Sequence, residues 1–189
     1  MKLMTLFKTA FVASSIALLS GCGTMNAMGN LNDGASDTFF EVWDKWVEAE
    51  GDIAEATMWE MKVEEGVEFV DVVDAINNAA MGTGLMNVGE LPLSEELKAR
   101  GVDSKRIHVM SFCNPETART MIDFSPAMGG FLPCRITIIE EEDGLHLYSM
   151  NMDMMVKMGK ELPSPLKEEA MKVRDTVWTM MEKGAAGAW

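Results

Sequence analysis

Basic side chains are scarce in this chain. Sixteen lysines and arginines face 30 aspartates and glutamates, for a formal net charge of −14 at pH 7. Such a surface repels nucleic acid and anionic headgroups, so a nucleic-acid partner is excluded and surface charge cannot hold the protein to a membrane. Histidine and cysteine are also few, at two and three residues. No Cys-x-x-Cys and no His-x-x-x-His occurs, so the tight metal spacings are missing. Gly-x-Ser-x-Gly, a phosphate loop and a dinucleotide fingerprint are likewise absent, and no catalytic residue can be assigned. Thirty acids make carboxylate pairs unavoidable, so their number is not evidence of acid–base chemistry. No internal repeat marks a second domain, and the apolar runs are too short to cross a bilayer as a mature helix.

What is present first is an export signal. Lys2 and Lys8 flank a charged start, and an apolar run from Ala10 to Leu19 is broken only by Ser14 and Ser15. It ends in Leu19-Ser20-Gly21-Cys22, the pattern of a bacterial lipobox, with small residues before the thiol to be acylated. Residues 1–21 are therefore expected to be removed as a signal peptide and Cys22 to carry lipid. Gly23 stands where an aspartate would favour inner-membrane retention, so the expected address is the cell envelope, periplasm-facing, at the outer membrane. Each buried methylene of the acyl chains adds about 0.8 kcal/mol, which makes the lipid the membrane partner. Removing 21 of 189 residues and two lysines leaves 168 residues with a net charge of −16. Residues 22–35 read as a flexible Gly-, Asn-, Met- and Ala-rich tether, and residues 36–189 as one domain.

Periodicity then predicts the elements. Thr38 to Glu41 matches a capping box opening a helix, with Phe39, Val42, Trp43, Trp46 and Val47 on one face and Gly51 as its stop. Residues 57–63 read as a strand, and residues 67–80 as a helix burying Phe69, Val70, Val73, Ile76 and Ala80. A short strand runs from Leu85 towards Pro92, and a capped helical turn at residues 94–98 stops at Gly101. Residues 106–113 form a central apolar strand. Asn114-Pro115-Glu116 reads as N-cap, first-turn proline and dipole-friendly acid, opening a helix to Phe124. Residues 134–141 and 145–151 flank an Asp143-Gly144 hairpin. Ser164-Pro165 opens a long amphipathic helix through Lys183, with Gly184 beyond. The expected class is α+β: a small, mainly antiparallel sheet of four to five strands packed with helices. The extra N- and C-terminal helices would pack on the sheet or mediate dimerisation.

From Arg106 to Asn151 the text itself is distinctive. Phe112-Cys113-Asn114-Pro115, Met121, Phe124-Ser125-Pro126-Ala127-Met128, Leu132-Pro133-Cys134-Arg135-Ile136 and the Glu-Asp-Gly hairpin follow in order. This resembles the domain of unknown function 302 family, over roughly residues 53–151. The resemblance implies a small α+β fold that tends to pair as a homodimer, and no activity. The chain departs from the family pattern by placing cysteine before Asn-Pro and again after Leu-Pro.

Once Cys22 is lipidated, Cys113 and Cys134 remain as an even pair outside the cytoplasm, where a disulfide is the default and two free buried thiols are the alternative. A bridge across their 21-residue separation would contribute about 3 kcal/mol. A metal or haem is the sharper alternative. Met150, Met152 and Met154 share a face if extended, and Met154 and Met158 share one if the chain turns helical; Met121 and Met128 flank the loop between the cysteines, and His108 lies on the Cys113 strand. Thiolate, thioether and imidazole are ligands that select Cu(I), and thioether or imidazole can bind haem iron. The plain alternative is that methionine fills core. The expected function is a non-catalytic binding or interaction module; the runner-up is a periplasmic thiol-redox protein acting through Cys113 and Cys134, with Cys113 activated by the helix N-terminus that follows it. Asp153 and the acid run Glu140–Asp143 read as solvated surface.

Overall fold

A computed structural model describes residues 34–188. The predicted signal peptide, Cys22 and most of the tether lie outside the described residues. Helix α1 (Ala35–Glu48) and the short α2 (Ile53–Thr57) lead into strand β1 (Met58–Lys62). There follow α3 (Phe69–Ala80), β2 (Met86–Leu91), α4 (Leu93–Ala99), β3 (Ile107–Cys113) and α5 (Pro115–Phe124). A 3-10 segment, Pro126–Phe131, precedes β4 (Cys134–Glu140), β5 (Leu145–Met150), α6 (Met152–Lys157) and the long α7 (Ser164–Ala186). The five strands form one sheet in the order β1-β5-β4-β3-β2, every pair antiparallel. The fold is α+β.

Local chemistry explains the central elements. Asn114 caps α5, its Oδ1 accepting from the amides of Glu116 and Thr117. The β4–β5 hairpin closes through the Glu141 amide on the Gly144 carbonyl at 2.8 Å. Gly144, at φ +133°, takes a conformation that a side chain disfavours. α3 and α7 pack on each other and on one face of the sheet. Val72, Ile76, Met110, Phe112, Ile136, Ile138, Leu147, Val177, Met180 and Met181 form the core between them. A second core joins α5, α6 and the start of α7 through Met121, Val156, Leu162, Leu166 and Ala170.

Several expectations are corrected. α1 starts at Ala35 rather than at a Thr38 capping box; Thr38 is buried, and its amide bonds to the Gly34 carbonyl. The buried stripe of α3 is Val72, Ala75, Ile76 and Ala80, whereas Val70 is 59% exposed. Gly184 does not stop the last helix but lies within it, where a Cβ would come within 2.7 Å of Ile76. The stop is Gly187, at φ +58°. The last helix packs on the sheet as expected, but the first has α2 and α6 as its main neighbours and turns its aromatic residues outward. Of the two alternatives for the chain after Asn151, the helical one forms, because the Asn151 side chain accepts from the Asp153 amide and caps α6.

Candidate functional site

Where β3 leaves the sheet and β4 enters it, several elements converge on one small cavity. β3 supplies Phe112 and Cys113, and α5 supplies Thr117, Ala118 and Met121. The 3-10 segment brings Met128 and Phe131, and β4 opens with Cys134. Met150 ends β5, Met152 and Met155 come from α6, and Ala170 and Val173 close the space from α7. The wall is thus nearly all apolar or sulfur, with two cysteines and five methionines. The cavity volume is about 30 Å³, roughly the liquid volume of one water. A wider cleft of about 210 Å³ shares Phe131, Cys134, Met150 and Met152 with it.

Six of the eight residues predicted as soft ligands meet here: Cys113, Cys134, Met121, Met128, Met150 and Met152. His108 does not. It lies nearer the start of β3, its Nε2 2.9 Å from Glu90 and its ring edge-on to Phe69. Met154 also falls outside the lining, because the strand alternation ends at Asn151; Met155 takes its place, one helical turn from Met152. That i, i+3 spacing was readable once Asn151 is seen as a cap.

Cys113 and Cys134 are both free thiols, so the structure does not contain the expected disulfide. The register explains this: Cys134 lies opposite Phe112, one position away from Cys113. The two cysteines are therefore offset by one residue along the paired strands, while both line the cavity. Nor is Cys113 activated by the helix that follows. The first amides of α5 are taken by the Asn114 side chain, and burial pushes the Cys113 thiol up. Burial, with Cys113 nearby adding to it, pushes Cys134 up to about 11. Both thiols are therefore protonated at neutral pH, until something displaces the proton.

The α6 and α7 walls are held together by a charge cluster. Asp153, 7% exposed, receives Arg174 through Nε on Oδ1 and Nη2 on Oδ2, both at 2.8 Å. Lys157 adds a 3.0 Å contact. Asp153 is thus a buried clamp rather than solvated surface. The acid run is also engaged. Glu140 accepts from the Arg106 amide, Glu141 accepts from the Tyr148 hydroxyl, and Asp143 pairs with Lys62 and with Nε2 of His146. His146, 7% exposed, places Nδ1 2.7 Å from Glu60. Ligand atoms of Glu60, Glu141 and His146 lie within 4.8 Å of one another on the hairpin side of the sheet. Both ring nitrogens of His146 already face carboxylates, an arrangement that favours the imidazolium form.

The family profile of the domain of unknown function DUF302 matches residues 59–184. The chain belongs to the DUF302 family. α7 therefore lies almost wholly within the family's domain, further than the resemblance at residues 53–151 suggested, and α1 and α2 precede it. Among solved structures, the chain is similar to an uncharacterized conserved DUF302 protein from Bacillus stearothermophilus, at 20% identity and a TM-score of 0.54. The match covers 67% of this chain and 97% of that one, and it concerns the fold alone. No curated protein matches the chain.

Proposed function

We propose that this DUF302 protein is a lipid-anchored, periplasm-facing module that binds Cu(I) in the cavity between β3, β4, α5 and α6. One observation carries the reading: two free thiols and five thioethers line one ion-sized apolar cavity, with a wider cleft sharing part of its wall. Soft sulfur donors select Cu(I) over the harder divalent ions. Size decides between copper and haem. Sites for organic ligands run from roughly 300 Å³ upward, an order of magnitude above the 30 Å³ here. The thiol-redox alternative loses its support, because that chemistry needs a depressed thiol pKa and burial raises both. The lipobox at Cys22 supports the address.

The test is anaerobic Cu(I) titration of the full chain against a chromophoric Cu(I) chelator, with intact mass reporting lipid on Cys22. One Cu(I) per chain is expected, with at least about a hundredfold weaker binding in Cys113→Ser/Cys134→Ser, since metal thiolates are the strong ligands. A chain that takes up no Cu(I), or a double variant that binds as well as the wild type, sinks the copper reading.

A further inference from the structure

We propose that the aromatic face of α1 rests on the bilayer surface, so that the helix is an interfacial foot beside the lipid anchor. The proposal builds on the lipid-anchor reading of Cys22. Phe39, Phe40, Trp43, Trp46 and Val47 are between 37% and 60% exposed. At 3.6 residues per turn they fall within an arc of roughly 120°. The rings touch in series: Phe39 lies 5.5 Å from Phe40 and 6.4 Å from Trp43, and Trp43 lies 5.3 Å from Trp46. The Trp46 indole N–H is satisfied by the Gly51 carbonyl at 2.8 Å, which leaves the ring as an apolar surface. A contiguous exposed aromatic patch of this kind needs an occupant.

Three features name that occupant as lipid. First, Ala35 follows Cys22 by 13 residues, and a chain of that length spans at most about 45 Å even fully extended. An acylated Cys22 thus keeps α1 within that distance of the membrane at all times. Second, the residues are tryptophan and phenylalanine, whose flat rings suit the headgroup level of a bilayer. Third, the helix has three distinct sides. Ala35 and Thr38 are buried on the protein side, and α2 and α6 are the helix's main neighbours. Asp37, Glu41, Asp44 and Glu48 fall, at the same helical spacing, in a separate arc away from the aromatic residues. A helix lying with its aromatic side on lipid therefore points its acids away from it. One lysine, Lys45, faces those four acids, so attachment is hydrophobic and favours a zwitterionic bilayer. None of the helices among the described residues is long and apolar enough to cross a membrane. α1 also precedes the DUF302 region, so the foot belongs to this chain's N-terminal extension.

The experiment uses the full chain, expressed where lipoproteins are processed and reconstituted on phosphatidylcholine vesicles with brominated acyl chains. Intact mass establishes whether Cys22 carries lipid. Tryptophan fluorescence is then read against bromolipid and against aqueous acrylamide. Bromolipid quenching is expected in the wild type, falling in Trp43→Phe/Trp46→Phe to the background set by Trp59, Trp178 and Trp189, because the two reporters on this face are removed. It should also fall to near background in Phe39→Ser/Phe40→Ser, which keeps the reporters and alters exposed positions only; circular dichroism checks that the fold is intact. A lipidated chain quenched by acrylamide and not by bromolipid overturns the foot and leaves the anchor standing. Shielding from both quenchers, with a dimer in sedimentation, assigns the face to a second copy and also overturns it. If Cys22 carries no lipid, the anchor reading fails by itself. Bromolipid quenching of that unlipidated chain then still upholds the foot, and its absence overturns the foot as well.

Discussion

Asp153→Asn removes one charge from the clamp between α6 and α7 and leaves its shape nearly unchanged. Removing one member of a buried ion pair costs about 3–5 kcal/mol when the other is stranded. Here the stranded partner is Arg174, whose side chain is 23% exposed and keeps a 2.8 Å contact with Asp175. Water and Asp175 can therefore absorb part of the loss, which reduces the expected cost to about 2 kcal/mol. For a domain of this size that is a fall in Tm of about 4–8 °C. The reciprocal change, Arg174→Met, strands the more deeply buried Asp153 with Lys157 alone and should cost more, about 3 kcal/mol. pH gives a second reading. Burial alone would raise the Asp153 pKa, but the hydrogen bonds from Arg174 and Lys157 outweigh it and hold the carboxyl below its ordinary value. A lowered folded-state pKa stabilises above the unfolded value near 3.9, and that contribution disappears as pH falls through the folded one. Urea melts at pH 7 should therefore show the full gap between wild type and Asp153→Asn, and melts at pH 3, below the unfolded value, a smaller one. A gap under about 0.5 kcal/mol at pH 7, the size of an ordinary surface substitution, would refute the clamp. So would a gap that is the same at both pH values.

Gly184→Ala places a Cβ 2.7 Å from Ile76 Cγ1 and 3.1 Å from Leu147 Cδ1; overpacking of this kind should cost about 1–3 kcal/mol in chemical denaturation. A neutral result would mean that α7 does not approach α3 and β5 this closely. For His146, burial alone would lower the pKa, but Glu60 and Asp143 raise it. Its ion pairs therefore stabilise fully below pH of about 6.5 and fade as pH rises through the raised value. Asp143, held down to about 2, keeps its charge to the acid end of that window. His146→Gln should accordingly destabilise at pH 6 and approach wild type as pH rises through the raised value, and a deficit that does not change with pH would count against the pairing. In the copper reading, each thiol proton displaced makes Cu(I) affinity rise tenfold per pH unit. Titrations at pH 6 and pH 7 should thus differ between about tenfold and a hundredfold, while pH-independent affinity would point to thioether ligands alone.

The middle of the fold was legible because local rules there agree with one another. Asn114-Pro115-Glu116 places cap, proline and acid where a helix start wants them, and Asp143-Gly144 sits between two alternating runs; both elements formed as expected. Six of the eight soft-ligand candidates were likewise within reach of sequence, because sulfur is concentrated between Cys113 and Met158. The failures share a different cause. Periodicity gives α1 an apolar face but does not say what covers it, and that face proved to be outside. Gly184 looked like a stop because glycine ends many helices; only the nearness of Ile76 shows that it is there for close packing. Asp153 looked solvated because its partner Arg174 is 21 residues away on another helix. Cys113 looked activated because a helix follows it, yet the adjacent asparagine had already taken the amides.

The unbridged cysteines and the cavity follow from the same register. To bring Cys134 opposite Cys113, β4 would have to slip by one residue along β3. A one-residue slip turns every side chain of a strand to the other face. Ile136 and Ile138, both essentially inaccessible in the core, would be expelled toward solvent. Burying each is worth about 1.5–3 kcal/mol, so the slip forfeits about 3–6 kcal/mol, as much as the roughly 3 kcal/mol a disulfide over this loop could return, or more. The core thus opposes the slipped register and leaves two protonated thiols at a cavity of one ion's size. In the copper reading proposed above, a metal ion would sit between its ligands at roughly 2.3 Å from each sulfur instead of requiring the two sulfurs to bond directly. Its positive charge also relieves the mutual repulsion that two neighbouring thiolates would feel. An arrangement that works against the disulfide is therefore the one in which a soft cation has most to gain.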